Sequence, residues 1–279
     1  MTHPAFSRFA FAGWPRRNFL QLGGLALSGS AFAFASAVDH PAAIATDKPT
    51  INDGFPTQSP ELAREMVKVS HFDINRVQQL VEAQPSLARA AWDWGFGDWE
   101  TALGAASHMG NRPIAEYLIS KGARPSLFSA AMLGHLEVVR AFVSAQPGVQ
   151  RIRGPHGISL LAHAKAGGDQ SHAVFSFLES LGDASADAPA PLAQSDLDAI
   201  LGVYAFGPTE NDHVDVTAEK GNVTWTRRGS IGRPLFHVGE RVFYPSGAPA
   251  VRIRFSGGDG EMVMTIHDPG LVLTARRQK

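Results

Sequence analysis

The chain has 279 residues, 25 of them basic and 26 acidic, with a formal net charge of −1 and 44% hydrophobic residues. It contains no cysteine, which excludes disulfides and thiolate-held clusters. The near-neutral balance makes nucleic acid and anionic membrane poor partners. No apolar run reaches the ~20 residues that span a bilayer, so no integral membrane segment is expected.

Residues 1–37 stand apart from the rest. Arg8, Arg16 and Arg17 precede any carboxylate, the first of which is Asp39. An apolar, Gly/Ala-rich run from Phe19 to Phe34 follows, closed by Ala35-Ser36-Ala37. A basic start, a short apolar core and a small-x-small end predict an export signal rather than a structural helix. "PRRNFLQLGG" resembles the twin-arginine export signal, in which Arg-Arg is followed by x-Phe-Leu. Pro15 stands where Ser or Thr is usual and Gln21 where Lys is common, and an ordinary secretory signal is the other reading. The resemblance implies transport of an already folded protein to the periplasm or another extracytoplasmic site. Without this segment 22 basic residues face 26 acidic ones, a net charge of −4. Residues 38–59, rich in Pro, Thr and Asp, are expected to form a flexible lead.

Residues 60–182 carry a repeat. In "TALGAASHMGNRPIAEYLISKGA" the residues Leu103, Ala106 and Gly110 match Leu127, Ala130 and Gly134 of "LFSAAMLGHLEVVRAFVSA" at an offset of 24. Leu161, Ala164 and Gly168 follow after another 34. A partial first copy runs from Ile74 to Arg89, where "VEAQPSLAR" echoes "VSAQPGVQR". Small residues at Ala105, Ala106, Ala130, Ala131 and Ala164 suit closely packed first helices, and the glycines suit turns with positive φ. Second helices carry stripes such as Val138, Val139, Phe142 and Val143, which stacking is expected to cover. The unit resembles the ankyrin repeat, whose pattern is Thr-Pro-Leu-His-x-Ala-Ala-x-x-Gly-His followed by Val-x-x-Leu-Leu. Leu127, Ala130, Ala131, Gly134, His135, Val139, Phe142 and Val143 are in register with it. The resemblance implies an ankyrin-like α-solenoid of about four helix pairs, with an irregular helical bundle as the alternative. The 24-residue spacing departs from the usual ~33.

Between units lie two longer loops, "AAWDWGFGDWE" (90–100) and "QRIRGPHGIS" (150–159). They are expected to project from one edge with a gap between them. Trp92, Trp94, Phe96, Arg153 and His156 are the candidate partner-binding residues; a structural cover for the helix ends is the competing reading. Trp94, before a Gly-Phe-Gly turn, is expected to be exposed, and Trp99 to pack down beside the next helix.

The Ala/Pro-rich stretch 183–194 reads as a linker. From residue 195 to 279 the apolar period changes from 3.6 to 2. Eight β-prone runs follow: "VYAF", "HVDVTAE", "NVTWTRR", "PLFHV", "RVFYP", "VRIRF", "MVMTIHD" and "LVLTAR". Turn signals separate them, so a small antiparallel meander or barrel is predicted, folding independently of the helices. Its layout, with Gly202-x-Tyr204 at the start, resembles the small β domain appended to penicillin-recognition serine hydrolases, although Ser-x-x-Lys occurs nowhere in the chain.

Catalytic motifs are not found: no G-x-S-x-G, phosphate-binding loop, H-E-x-x-H or EF-hand loop. The eleven histidines include no pair at a familiar ligand spacing, so neither a metal nor another cofactor is expected. The expected function is therefore an exported, non-enzymatic module that binds a protein partner through repeat loops. The alternative is a small-molecule or lipid carrier that uses the interior of the β domain.

Overall fold

Most helices begin where a short polar side chain caps them. α1 (Pro60–Val69) follows Ser59, α2 (Ile74–Ala83) follows Asp73, and each cap oxygen accepts a backbone N–H from the first turn. A two-stranded ribbon, β1 (Ala91–Asp93) and β2 (Trp99–Thr101), comes next. Thr101 ends the ribbon and caps α3 (Ala102–His108); Asn111 caps α4 (Arg112–Ser120), and Ser126 caps α5 (Leu127–Met132) in a capping box. α6 (Leu136–Ala145) follows, then α7 (Leu160–Ala166) capped by Ser159, α8 (His172–Ser180) and α9 (Gln194–Ile200). This computed structural model describes residues 54 and 56–278, apart from 186–187, 220–221 and 259–260. The expected export signal at 1–37, and most of the lead at 38–59, lie outside the described residues.

The expected ankyrin-like solenoid of four helix pairs is corrected. The described residues hold nine short helices of six to ten residues. They are scattered among 3-10 turns, at Pro85–Arg89, Val149–Arg151, Pro155–Gly157 and Gly168–Ser171, and the β1–β2 ribbon. Small residues do let neighbours approach: Ala105, Ala106, Ala131 and Ala164 are fully buried. Gly110 (φ +68°) and Gly134 (φ +79°) lie so near Ala166 O and Gln170 O that a Cβ would stand 2.1 Å from each. A regular stack nonetheless fails, because the long inter-unit loops fold into turns and a ribbon of their own. The apolar interior divides into two clusters, one around Met66, Leu103 and Leu118 and the other around Leu127, Leu160 and Leu178. On α6, Val139 is buried, but Val138 and Phe142 stay 43% and 46% exposed. The stripe that stacking was expected to cover is half open.

The β part forms as the period-2 pattern predicts. β3 (Gly202–Ala205), β4 (His213–Glu219), β5 (Asn222–Arg227), β6 (Arg233–Gly239), β7 (Val242–Pro245), β8 (Arg252–Ser256), β9 (Val263–Asp268) and β10 (Leu271–Arg277) are antiparallel neighbours in chain order. β10 pairs back onto β3 through Arg276↔Ala205 and Arg277↔Tyr204, closing an eight-stranded barrel with no free edge. Along β8, Ile253 and Phe255 point inward and Arg252 and Arg254 outward. Tyr204, Phe243, Phe255, Ile253 and Met264 fill the interior. α9 stops one end: Ile200 is fully buried and its carbonyl accepts the Tyr204 hydroxyl at 2.8 Å.

Barrel and helices belong to one compact unit, residues 51–279. The 183–194 segment is tied at both ends. Gln150 Nε2 donates to Asp183 Oδ1 at 2.9 Å, and Ala190 N–H donates to His237 O at 3.0 Å. The ribbon tip reaches the barrel directly, where Phe96 packs against its core with ring centres 5.7 Å from Trp225. Among the described residues no helix is long and apolar enough to cross a membrane.

Candidate metal centre

The site grows out of the β1–β2 ribbon. Trp92 pairs opposite Glu100, and Trp94 N–H donates to Asp98 O at 3.1 Å, which folds the tip back on itself. Strand alternation then sends Asp98 and Glu100 to one side and Trp99 to the other. Asp98 and Glu100 are 3% and 1% exposed, whereas Trp99 is 64% exposed. Two carboxylates removed from water need positive or hydrogen-bonding partners. His156, Trp94 and Arg233 supply them, and two further histidines crowd Glu100.

His71 lies just beyond α1. Its Nδ1 faces Val67 O at 3.1 Å and Lys68 O at 3.0 Å, and its Nε2 lies 3.5 Å from Glu100 Oε2. His108 ends α3 and places Nε2 2.9 Å from Glu100 Oε1, at an angle that leaves both atoms without a hydrogen bond. His156 sits on the Pro155–Gly157 turn with φ +59°, a left-handed conformation that His adopts more readily than most side chains. Its N–H donates to Asp98 Oδ1 at 2.9 Å, its Nδ1 lies 2.8 Å from Asp98 Oδ2, and its Nε2 lies 3.4 Å from Glu100 Oε2. Trp94 Nε1 donates to Glu100 Oε2 at 2.8 Å and steadies that carboxylate from the far side.

The tautomers follow from these partners. A carbonyl oxygen only accepts, so His71 Nδ1 carries the proton and a neutral ring turns its Nε2 lone pair toward Glu100. Burial pushes the His71 ring below its ordinary value, despite the nearby Glu100 charge, and favours that neutral form. Two sets of lone pairs then face each other, a contact that a cation between them relieves. Burial works to raise the Glu100 carboxyl, yet His108 and His156 outweigh it and hold it at about 2. Burial likewise opposes charge on His156, but Asp98 and Glu100 together lift the ring to about 9. Asp98 is lowered, because His156 and Arg233 prevail over its burial. Behind the cluster His163 is fully buried and pushed down to about 4 by burial, with Nδ1 on Ser159 O at 2.9 Å and Nε2 unpartnered.

One ligand atom from each of His71, Glu100, His108 and His156 lies within 4.8 Å of the others. A tetrahedral ion with bonds of about 2.1 Å needs ligand atoms roughly 3.4 Å apart. From Glu100 Oε2 the separations to His71 and His156, 3.5 and 3.4 Å, match that edge, while His108 lies 2.9 Å from the other oxygen, Oε1. Two histidines also show the outer-shell pattern of metal ligands, with Nδ1 committed to backbone carbonyls in His71 and to a carboxylate in His156. The chain matches no protein-family model and no curated protein. Chemical assignment therefore rests on the side chains themselves.

The two inter-unit loops do meet on one side, where Asp98 of one grips His156 of the other and a shallow cleft remains between them. Of the sequence-predicted partner residues, Trp94 and His156 join the cluster and Phe96 turns into the barrel. Trp92 is half-buried on the ribbon. Arg153 bridges to Ser159 and donates to Ser185 O at 3.3 Å, lining a shallow cleft with Trp99, Phe128 and Pro155. The expected exposures of Trp94 and Trp99 are exchanged. The sequence reading assigned no role to His71, Asp98, Glu100 or His108 and expected no metal. Asp98-x-Glu100 on a short ribbon was the available signal, since alternation puts both carboxylates on one face.

Proposed function

We propose that this chain is an exported protein that binds one divalent first-row transition-metal ion, Zn²⁺ foremost, through His71, Glu100, His108 and His156. The observation that carries the reading is the convergence of one ligand atom from each of these four side chains within 4.8 Å, around a buried Glu100 carboxylate. Imidazole nitrogens with one carboxylate suit Zn²⁺, Cu²⁺ or Ni²⁺ better than Ca²⁺ or Mg²⁺. Four protein ligands complete a tetrahedral shell, which favours a structural or metal-carrying role over catalysis at an open position. The Glu100 and His108 side chains are 0% and 7% exposed, while His71 and His156 at 19% and 29% leave a route for exchange.

Titration of chelator-stripped protein with Zn²⁺ by calorimetry, and with Co²⁺ by visible absorption, tests this. One equivalent should bind, with the intense d–d bands of tetrahedral Co²⁺. Glu100→Gln and His108→Ala should each weaken binding by about 100-fold or more, at or beyond the upper end of what outer-shell changes cost. Wild-type protein that shows no saturable binding at micromolar Zn²⁺ rules the reading out.

A partner-binding edge is the second reading, supported by the 64% exposed Trp99 beside the cleft of Phe128, Arg153 and Pro155. Large exposed aromatics are characteristic binding anchors. Loss of partner capture in Trp99→Ala, with metal binding intact, is its test. The packed barrel interior lends no support to a carrier role.

A further inference from the structure

Asp98 is the point where the histidine cluster meets the barrel. One face of its carboxylate holds both the backbone N–H and the ring Nδ1 of His156, at 2.9 and 2.8 Å. Arg233 Nη2, from the start of β6, reaches Oδ2, the same oxygen that faces the His156 ring, at 3.3 Å. The same guanidinium donates through Nη1 to Ser246 O at 2.8 Å, just beyond β7, and Ser246 Oγ donates to His156 O. Next in the chain, Gly247 (φ +79°) comes so close to Asp98 that a Cβ would stand 2.3 Å from Asp98 Cγ. Arg233 is 9% exposed and Asp98 3% exposed, so the pair is removed from competing water. The barrel thus grips the His156 turn at its carbonyl, and grips its N–H and ring through Asp98.

We propose that Arg233 is a positioning residue for the metal centre, aiming His156 through Asp98, so that ion binding and docking of the barrel against the helices are coupled. The proposal rests on the ion-binding reading above. Its physical basis is orientation. A carboxylate whose Oδ2 is shared by a guanidinium and the His156 ring, and which packs on Gly247, keeps one orientation, and the ring bonded to it keeps its Nε2 directed at Glu100. Coupling of this kind is reciprocal: what the barrel does for the ion, the ion does for the barrel.

The test is Zn²⁺ calorimetry on wild type, Arg233→Met, Arg233→Lys, His156→Ala and the Arg233→Met/His156→Ala double variant. Arg233→Met should weaken binding about 10-fold or more, and Arg233→Lys should recover part of that. In the His156→Ala background Arg233→Met should add no further loss, which a general destabilisation would not produce. Zn²⁺ should also slow amide hydrogen exchange at 244–248 in wild type. If Arg233→Met does not fold, Arg233→Gln replaces it in both backgrounds, with a loss in the same direction expected. Wild-type affinity in the variant that folds, or an Arg233→Met loss that persists without His156, overturns the proposal. Absence of Zn²⁺ binding in wild type overturns the underlying ion reading instead, and the two failures are distinguished by that first titration.

Discussion

Asp98 and Glu100, two residues apart on one ribbon, bracket the imidazole of His156 from opposite ring nitrogens, at 2.8 Å on Nδ1 and 3.4 Å on Nε2. A ring between two buried carboxylates favours a cation on the nitrogen that faces Glu100. Without a metal that cation is a proton; with one, the ion takes its place beside Glu100. The ribbon therefore sets up a competition between proton and metal at a single atom.

That competition has a pH signature in the ion-free protein. His156 is raised from 6.5 to about 9, so its contribution to stability is whole below pH 6.5 and is lost as pH rises through 9. Glu100 is lowered from 4.5 to about 2, so its contribution is whole above 4.5 and is lost as pH falls through 2. Chelator-treated protein should melt at progressively lower temperature from pH 6.5 to 9.5, and His156→Gln should flatten that slope. Added Zn²⁺ should stabilise more at pH 8 than at pH 6.5, because fewer protons must leave. A melting temperature independent of pH across that window would mean that the ring is uncharged when ion-free.

The tryptophans give a sharper contrast. Trp94 donates to a Glu100 oxygen that is wholly buried, so Trp94→Phe removes a donor and leaves that acceptor short by one bond. Such a loss costs about 1–3 kcal/mol, or several degrees of melting temperature, and should loosen Zn²⁺ binding as well. Trp99, 64% exposed, should tolerate Ala within about 0.5 kcal/mol. Differential scanning calorimetry of both variants decides; equal destabilisation would mean that Trp99 packs in solution.

How much of this was legible in the sequence depended on the range of the interactions involved. The eight β-prone runs correspond to β3–β10, since alternation and turn residues are local properties. Positive φ at Gly110, Gly134 and Gly168 was also readable, because a short helix has to stop. The repeat pattern, by contrast, pointed to a solenoid that does not form. Matching Leu, Ala and Gly positions encodes close helix contacts, but not the ribbon and turns that the long loops build between them. The metal centre was hidden by distance in the chain. His71, Glu100, His108 and His156 are separated by 29, 8 and 48 residues, so no local spacing rule could find them. The exposure of Trp99 follows from the same pair: once Asp98 and Glu100 face inward, alternation forces Trp99 outward.

The proposed destination can be tested apart from the folded unit. The Arg16-Arg17 pair precedes x-Phe-Leu and a weakly apolar run, and twin-arginine transport depends on that pair. Changing both to Lys keeps the charge and the hydrophobic core, so an ordinary secretory signal should be indifferent to it. Fractionation of cells carrying the double variant should find the protein retained in the cytoplasm. Undiminished export would assign the segment to the general secretory route.

The barrel should fold without the helices if the cut is made in the right place. Closure of β10 onto β3 leaves no edge to pair elsewhere, and the interior is filled by the barrel's own side chains. The boundary lies upstream of the strands, however. Leu192 packs on the barrel core, Ala190 pairs with His237, and Ile200 of α9 is fully buried beneath the Tyr204 hydroxyl. A fragment of residues 190–279 should therefore give a strand-rich, cooperatively melting species. Residues 201–279 should be weaker by about 3 kcal/mol or more, since the Ile200 side chain leaves a cavity and the buried Tyr204 hydroxyl loses its acceptor. Circular dichroism melts of the two fragments measure the difference. If 190–279 is unfolded, the contacts of Phe96 with Trp225 and of Asp98 with Arg233 are obligatory parts of one core. If 201–279 melts like the longer fragment, α9 is a surface appendage and the barrel end is stopped by its own strands.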